Sequence, residues 1–201
     1  TIDITASDDG HNLAGDGDDP GGVVTPGDPY DMVFNGGRIT IRAGNDGIDS
    51  NGSIVMTGGC LAIDGAVPGT MPAQGAIDYN GDFVTSGGVL AAAGAADRET
   101  KVPSATSTQP SLAVIFSTAQ SAGTLITLVG DDGATAYEAG KSFQSLIVSA
   151  PWLSRGETVS IYRGGAVSGS ATDRLFNGGT VSGATYLGTV TVSSIVASSI
   201  L

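Results

Sequence analysis

Apolar and polar residues alternate in short bursts along the first half of the chain, and the bursts match one another. "TIDIT" at residue 1, "RITIR" at 38, "CLAID" at 60 and "VLAAA" at 89 share one pattern. Ile2 and Ile4 correspond to Ile39 and Ile41, then Leu61 and Ile63, then Leu90 and Ala92, with the period of two that marks a half-buried strand. Between these bursts His11, Ile48 and Ile77 share a place, as do Met32, Ile54 and Phe83 in "MVFNGG", "IVMTGG" and "FVTSGG". The starts are 37, 22 and 29 residues apart, which reads as a unit of 22 residues with insertions of 15 and 7. A period of that size signals a solenoid, so the expected fold is all-β, a right-handed parallel β-helix. Gly-Gly pairs close each coil, where the backbone needs positive φ to turn. His11 reads as a coil-end packing residue, and Cys60 as an inert strand residue.

The alternation changes beyond the coils. Residues 1–97 form the coils, and the Pro/Ser/Thr-rich stretch over 98–110 reads as a linker. Residues 111–201 continue as short strands, among them "SLAVIF", "GTLITLV", "SFQSLIVSA", "TVSIYRGG" and "GTVTVSSIV", with no 22-residue step. They predict an antiparallel sheet that caps or packs against the open coil end. Trp152 and Tyr162 read as buried aromatics of that sheet, with a sugar platform as the alternative. "TIDIT" has no earlier coil to pair with. Its edge is expected to be covered by the chain's own C-terminal sheet, by residues preceding Thr1, or by another copy.

Charge sharpens the picture. The net charge of −12 lies wholly in residues 1–97, where fourteen Asp and no Glu face two Arg; residues 98–201 balance to zero. Such a surface repels phosphates, which excludes nucleic acid. No apolar run approaches a membrane span. The single Cys excludes an intramolecular disulfide, and no zinc spacing is present.

The acid is placed in register. Around "GNDGIDSNGS" at 44–53, Asp9 falls over Asp46, Asn12 over Asp49 and Asp78, and Asp8 over Asn45, with Asp82 close by. Equivalent positions of successive coils lie roughly 4.8 Å apart, where stacked carboxylates repel unless a cation lies between them. Calcium, with six to eight oxygen ligands, suits such a row. The alternative is a solvated ladder of Asp/Asn turns. "DGDDPGG" from Asp16 fails as an EF-hand, because Pro20 takes a ligand position and Gly27 the place of the bidentate Glu. The loop 16–31, with five Asp, reads equally as a further cation site or an acidic insertion.

"ASDDGHN", "GNDGIDSNGSIVMTGG" and "GAIDYNGDFVTSGG" together resemble a family of calcium-binding right-handed parallel β-helix carbohydrate-binding domains, itself similar to the family 9 pectate lyases. The resemblance implies that Asp8, Asp9, Asp46, Asp49 and Asp78 are calcium ligands, with Asn12 where an Asp would be expected. Such a lyase needs a base, yet residues 1–97 hold no Lys, and Arg38 and Arg42 suit gripping a carboxylate better than removing a proton. Tyr79, beside Asp78, is a candidate for stacking on a sugar ring. The expected function is a non-catalytic, extracellular or cell-surface polysaccharide-binding module that depends on calcium and prefers acidic glycans such as polygalacturonate. The alternatives are a calcium-stapled subunit of a filament, self-associating end to end, and a weak lyase using an Arg or Lys101.

Overall fold

The computed structural model describes residues 1–13, 30–69, 74–96, 100–169 and 171–201, and among them every regular element is a strand. The first ten are β1 (Ile2–Thr5), β2 (His11–Leu13), β3 (Met32–Phe34), β4 (Arg38–Arg42), β5 (Ile48–Ser50), β6 (Ile54–Met56), β7 (Cys60–Asp64), β8 (Ile77–Tyr79), β9 (Phe83–Thr85) and β10 (Val89–Gly94). The chain deals them in turn to three parallel sheets, β1-β4-β7-β10, β2-β5-β8 and β3-β6-β9. The register follows the sequence repeat: Ile2, Ile39, Leu61 and Leu90 are partners in one row, and Met32, Ile54 and Phe83 in another.

Local chemistry explains the turns. The second glycine of each Gly-Gly pair has positive φ: 77° at Gly37, 87° at Gly59 and 87° at Gly88. Gly47 answers a different need, close approach, because a Cβ there would collide with the side chain of Ile63 and the carbonyl of Ala76. Between the sheets Ile41, Ile48, Ile54, Ile63, Ile77, Phe83 and Leu90 form one closely buried core. His11 lies edge-on to Phe34, ring centroids 6.5 Å apart, in keeping with a packing role.

The remaining strands are β11 (Ser111–Gln120), β12 (Leu125–Val129), β13 (Ala134–Glu138), β14 (Phe143–Ser149), β15 (Thr158–Arg163), β16 (Ala166–Val167), β17 (Leu175–Asn177), β18 (Val181–Ser182), β19 (Thr185–Thr191) and β20 (Val196–Ile200). β14 lies antiparallel to both β10 and β11, and β20 parallel to β11, so the first sheet grows to seven strands, β1-β4-β7-β10-β14-β11-β20. An antiparallel five-stranded sheet, β17-β13-β12-β15-β19, packs on its other face. Leu61, Ile63, Leu90 and Ala92 point into the first core, whereas Ala62, Val89, Ala91 and Ala93 belong to a second core with Leu112, Val114, Leu128, Leu146 and Ile161. β10 is thus buried on both faces, which is why its sequence is an unbroken apolar run.

Three expectations are corrected. The described part of the stretch read as a linker packs against the third parallel sheet. Ser104 N–H donates to the Phe83 carbonyl at 2.6 Å, and the Thr108 and Gln109 N–H groups to that of Thr85 at 3.0 Å. Tyr79 and Lys101, Asp82 and Ser104, and Thr85 and Ser107 are each in contact across 22 residues, so this stretch takes another step of the same repeat without forming a strand. The C-terminal strand does not cover the edge of β1: β20 pairs with β11 at the opposite edge of the sheet. Trp152 and Tyr162, expected to be buried, are only partly covered.

Candidate functional site

The acids gather at the corner between the first and second parallel sheets. Backbone bonds stack successive corners: Gly10 N–H donates to the Asp46 carbonyl at 2.8 Å, and Gly44 N–H to that of Ala6 at 3.0 Å. This places Asp9 against Asp46, whose N–H donates to Asp9 Oδ1 at 3.1 Å, while Asn12 Nδ2 donates to Asp9 Oδ2 at 2.9 Å. Asn45 Nδ2 donates to Asp8, uniting that pair across 37 residues. Asp46 itself is only 3% exposed, and one carboxylate oxygen accepts the Gly75 N–H at 2.6 Å. Burial is the main reason its pKa is pushed up to about 7, against the pull of the Gly75 N–H; the nearby carboxylates of Asp78, Asp9 and Asp49 push it further.

Asn12, Asp49 and Asp78 form one row of the second sheet, as the sequence register implies. The row ends on a cation that sequence reading put in a linker. Lys101 Nζ forms an ion pair with Asp78, donates to the Tyr79 carbonyl, and lies 5.2 Å from the centroid of the Tyr79 ring. Tyr79 is further engaged by Phe83, edge-on at 6.3 Å, and its hydroxyl donates to the Val102 carbonyl at 2.7 Å. A sugar stacking on Tyr79 would therefore have to displace Lys101. The spacing of 22 between Tyr79 and Lys101 was the available signal, masked by the Pro/Ser/Thr composition around it.

Asp82 lies apart from the acid corner, at the turn before β9. Its N–H donates to Ser53 Oγ at 3.3 Å and its carboxylate accepts from Ser104 Oγ at 2.9 Å, in a row that begins with Asp31 Oδ1 accepting the Ser53 N–H at 2.7 Å. Residues 16–29 of the acidic loop lie outside the described residues.

Arg38 and Arg42 face the second half of the protein. Arg38 Nε lies 3.6 Å from Asp173 Oδ2, and Arg42 is the strand partner of Asp64. Asp64, 2% exposed, is a site that sequence reading missed. It accepts the Tyr137 hydroxyl at 2.9 Å and the Gly140 N–H at 3.0 Å. Burial raises its pKa, and the Tyr137 and Gly140 bonds and the charges of Arg174 and Arg42 oppose the rise. Gly140 is the residue that fits here, because a Cβ would collide with the Arg174 guanidinium and the Asp64 carboxylate. Nearby, Lys141 Nζ donates to the carbonyls of Ala43 and Gly65. Nothing in the alternation of β7 marks Asp64, since the Tyr137 hydroxyl and Gly140 N–H that answer it come from 73 and 76 residues away.

Among the described residues no three His, Cys, Asp or Glu side chains form a ready cage for a metal. As placed, Asp8, Asp9, Asp46 and Asp78 each turn to a protein donor. The donor set of the corner is nonetheless all oxygen, and Asp46 sits among three further carboxylates, chemistry that fits a hard divalent cation. Also among the described residues, no helix is long and apolar enough to cross a membrane. No protein-family model, curated protein or solved structure matches the chain.

Proposed function

We propose that the chain is an extracellular, calcium-dependent polysaccharide-binding module on a right-handed parallel β-helix, with acidic glycans such as polygalacturonate as its preferred class. The observation that carries this reading is Asp46, buried with Asp9, Asp49 and Asp78 around it. Like charges held this close favour either a proton or a cation, and calcium, at the millimolar levels found outside cells, is the cation that hard oxygen ligands select. Asp8, Asp9, Asn12, Asn45, Asp46, Asp49 and Asp78 would supply those ligands. Calcium bound there would cancel part of the corner's negative charge and offer an open coordination position to a uronate carboxylate, which is how an acidic sugar would be drawn to a chain of net charge −12. The resemblance to β-helix domains similar to family 9 pectate lyases would rest, in this reading, on the same corner.

The reading is non-catalytic. Lys101 is held between Asp78 and the Tyr79 carbonyl, and Arg38 and Arg42 are too basic to take a proton at neutral pH. Arg38 and Arg42 remain candidates for gripping a sugar carboxylate, with Asp173 as the competitor at Arg38. Calorimetric titration with polygalacturonate and with a neutral glucan, in calcium and in chelator, tests the proposal. Polygalacturonate should bind in calcium alone; equal binding after chelation overturns it. A calcium-dependent rise in ultraviolet absorbance on prolonged incubation would instead reveal a lyase.

One observation favours a second reading, a filament subunit. β1 and β20 end the seven-stranded sheet, run in the same direction, and expose Ile2 (54%) and Ile200 (79%). A β20 edge laid on the β1 of another copy would continue the sheet head to tail. Electron microscopy in millimolar calcium should then show fibres that chelator dissolves, and a monomer at every concentration would remove this reading.

A further inference from the structure

The second half of the chain holds a pocket of about 230 Å³ whose walls include Asp132, Gly133, Pro151, Trp152, Asn177 and Gly178. Its aromatic wall is fixed before any ligand arrives. Pro151 and Trp152 are the two central residues of a tight turn closed by Leu153 N–H donating to the Ala150 carbonyl at 3.0 Å, and both end residues are buried. The indole N–H donates to Thr135 Oγ1 at 2.9 Å, a hydroxyl buried in β13. The tip of the β12–β13 hairpin lies against the ring, and a Cβ on Gly133 would stand 2.7 Å from it. Glu157 ties tip and turn together, accepting the Asp131 N–H at 2.8 Å and the Ser154 N–H at 3.1 Å. Asn177, the strand partner of Thr135, closes the other side.

We propose that this pocket binds one neutral pyranose ring, free or at the end of a polysaccharide, without calcium. With its N–H already satisfied and part of the ring covered by the hairpin tip and the core, the indole offers a ligand only the apolar surface that lines the pocket, which suits the C–H face of a pyranose. Asp132 can accept hydrogen bonds from sugar hydroxyls, and the Asn177 carboxamide can both donate and accept. A uronate is disfavoured, because Asp132 stands beside Asp131 and near Glu157, and no Lys or Arg lines the pocket. The volume is below the roughly 300–1,000 Å³ that encloses drug-sized ligands, so a single ring fits and an oligosaccharide does not. Rigid walls lower the entropic cost of binding so small a ligand.

The chain contains a single tryptophan, so its emission reports on this pocket directly. The experiment titrates the whole chain with glucose, galactose and mannose, with galacturonate, and with a neutral disaccharide, all in chelator. At least one neutral hexose should change the emission saturably with a Kd of about 1 mM, and galacturonate should not. Asp132→Ala and Asn177→Ala alter exposed side chains outside the cores, and each should weaken binding about tenfold while the melting temperature holds. A disaccharide that binds more tightly than its monosaccharide identifies a chain end as the source; equal affinities identify the free sugar. An emission that stays flat with every neutral hexose, or that responds equally in the Asp132→Ala/Asn177→Ala double variant, overturns the proposal. Because chelator silences the acid corner, this site and the calcium-dependent one fail independently.

Discussion

Asp46 and Asp64 are buried to the same degree, 3% and 2% exposed, and burial raises the pKa of both, yet the two sites are chemically opposite. Around Asp46 the remaining charges are acids, Asp9 and Asp78 from the neighbouring passes of the parallel sheets and Asp49 from its own. Around Asp64 stand a tyrosine hydroxyl, a backbone N–H and two arginines, with Tyr137, Gly140 and Arg174 brought by the second half of the chain. The lesson is that burial alone does not mark a binding site. The sign of what surrounds the carboxylate does: a completed network holds the fold, and an uncompensated one leaves room for a cation from solution.

The largest effect should come from Asp64. Asp64→Ala leaves the Tyr137 hydroxyl and Gly140 N–H without their acceptor beside two guanidinium groups, a loss of about 3–5 kcal/mol in urea unfolding. A cost below about 1 kcal/mol would show that the network is not structural. Asp46→Asn should behave differently in its two solvents. In chelator it removes like-charge repulsion and raises stability by about 1–3 kcal/mol. In excess calcium it weakens metal binding about tenfold or more and forfeits the stabilisation that bound metal confers. Melting curves of the variant that match the wild type in both solvents would reduce the corner to a solvated turn.

Smaller is the effect of Tyr137→Phe, which removes one hydrogen bond to Asp64 and should cost about 1–3 kcal/mol at neutral pH. Its pH dependence carries a sign. The folded Asp64 has a pKa above its unfolded value, so the folded state holds the proton more tightly. Asp64's contribution is therefore most favourable in acid and is lost as pH rises from the ordinary carboxylate range through the raised pKa. Tyr137→Phe removes a bond that favours the charged form, so the decline should reach higher pH; an unchanged pH profile would contradict this. Least of all, Lys101→Met removes a partly exposed ion pair and should cost under about 1 kcal/mol. It also frees Asp78, so calcium affinity should rise severalfold, and a fall would mean that Lys101 organises the corner instead of competing for it.

Much of the first half was legible because its information is periodic. Alternation and a 22-residue step gave the strand partners of three parallel sheets residue by residue, from Ile2–Ile39 to Ile54–Phe83. The same step gave the pairing of Asp9 with Asp46 and the row Asn12–Asp49–Asp78. Asp82, grouped with these acids for its closeness to Asp78 in sequence, stands at the turn before β9 with Ser53 and Ser104. What no repeat announces went unread. The contacts of Asp64 come from distant strands, and the insertion of β14 beside β10 follows from a second core that fits the alanines on the outer face of β7 and β10. Lys101 was recoverable in principle, one repeat beyond Tyr79, but its segment has the composition of a tether.

The placing of β14 also bears on how such a chain could change length over evolutionary time. β14 fills the slot beside β10 that the next parallel strand would have taken, and β11 is displaced to the far side of it. Copying a unit next to β10 would break the antiparallel join and open the second core. Copying the unit that spans residues 38–59 would instead insert a rung between strands that already pair in parallel and add one more set of corner acids. Growth is thus barred at one end and open in the middle, so longer relatives are expected to lengthen before β7 while the junction with the second half stays unchanged.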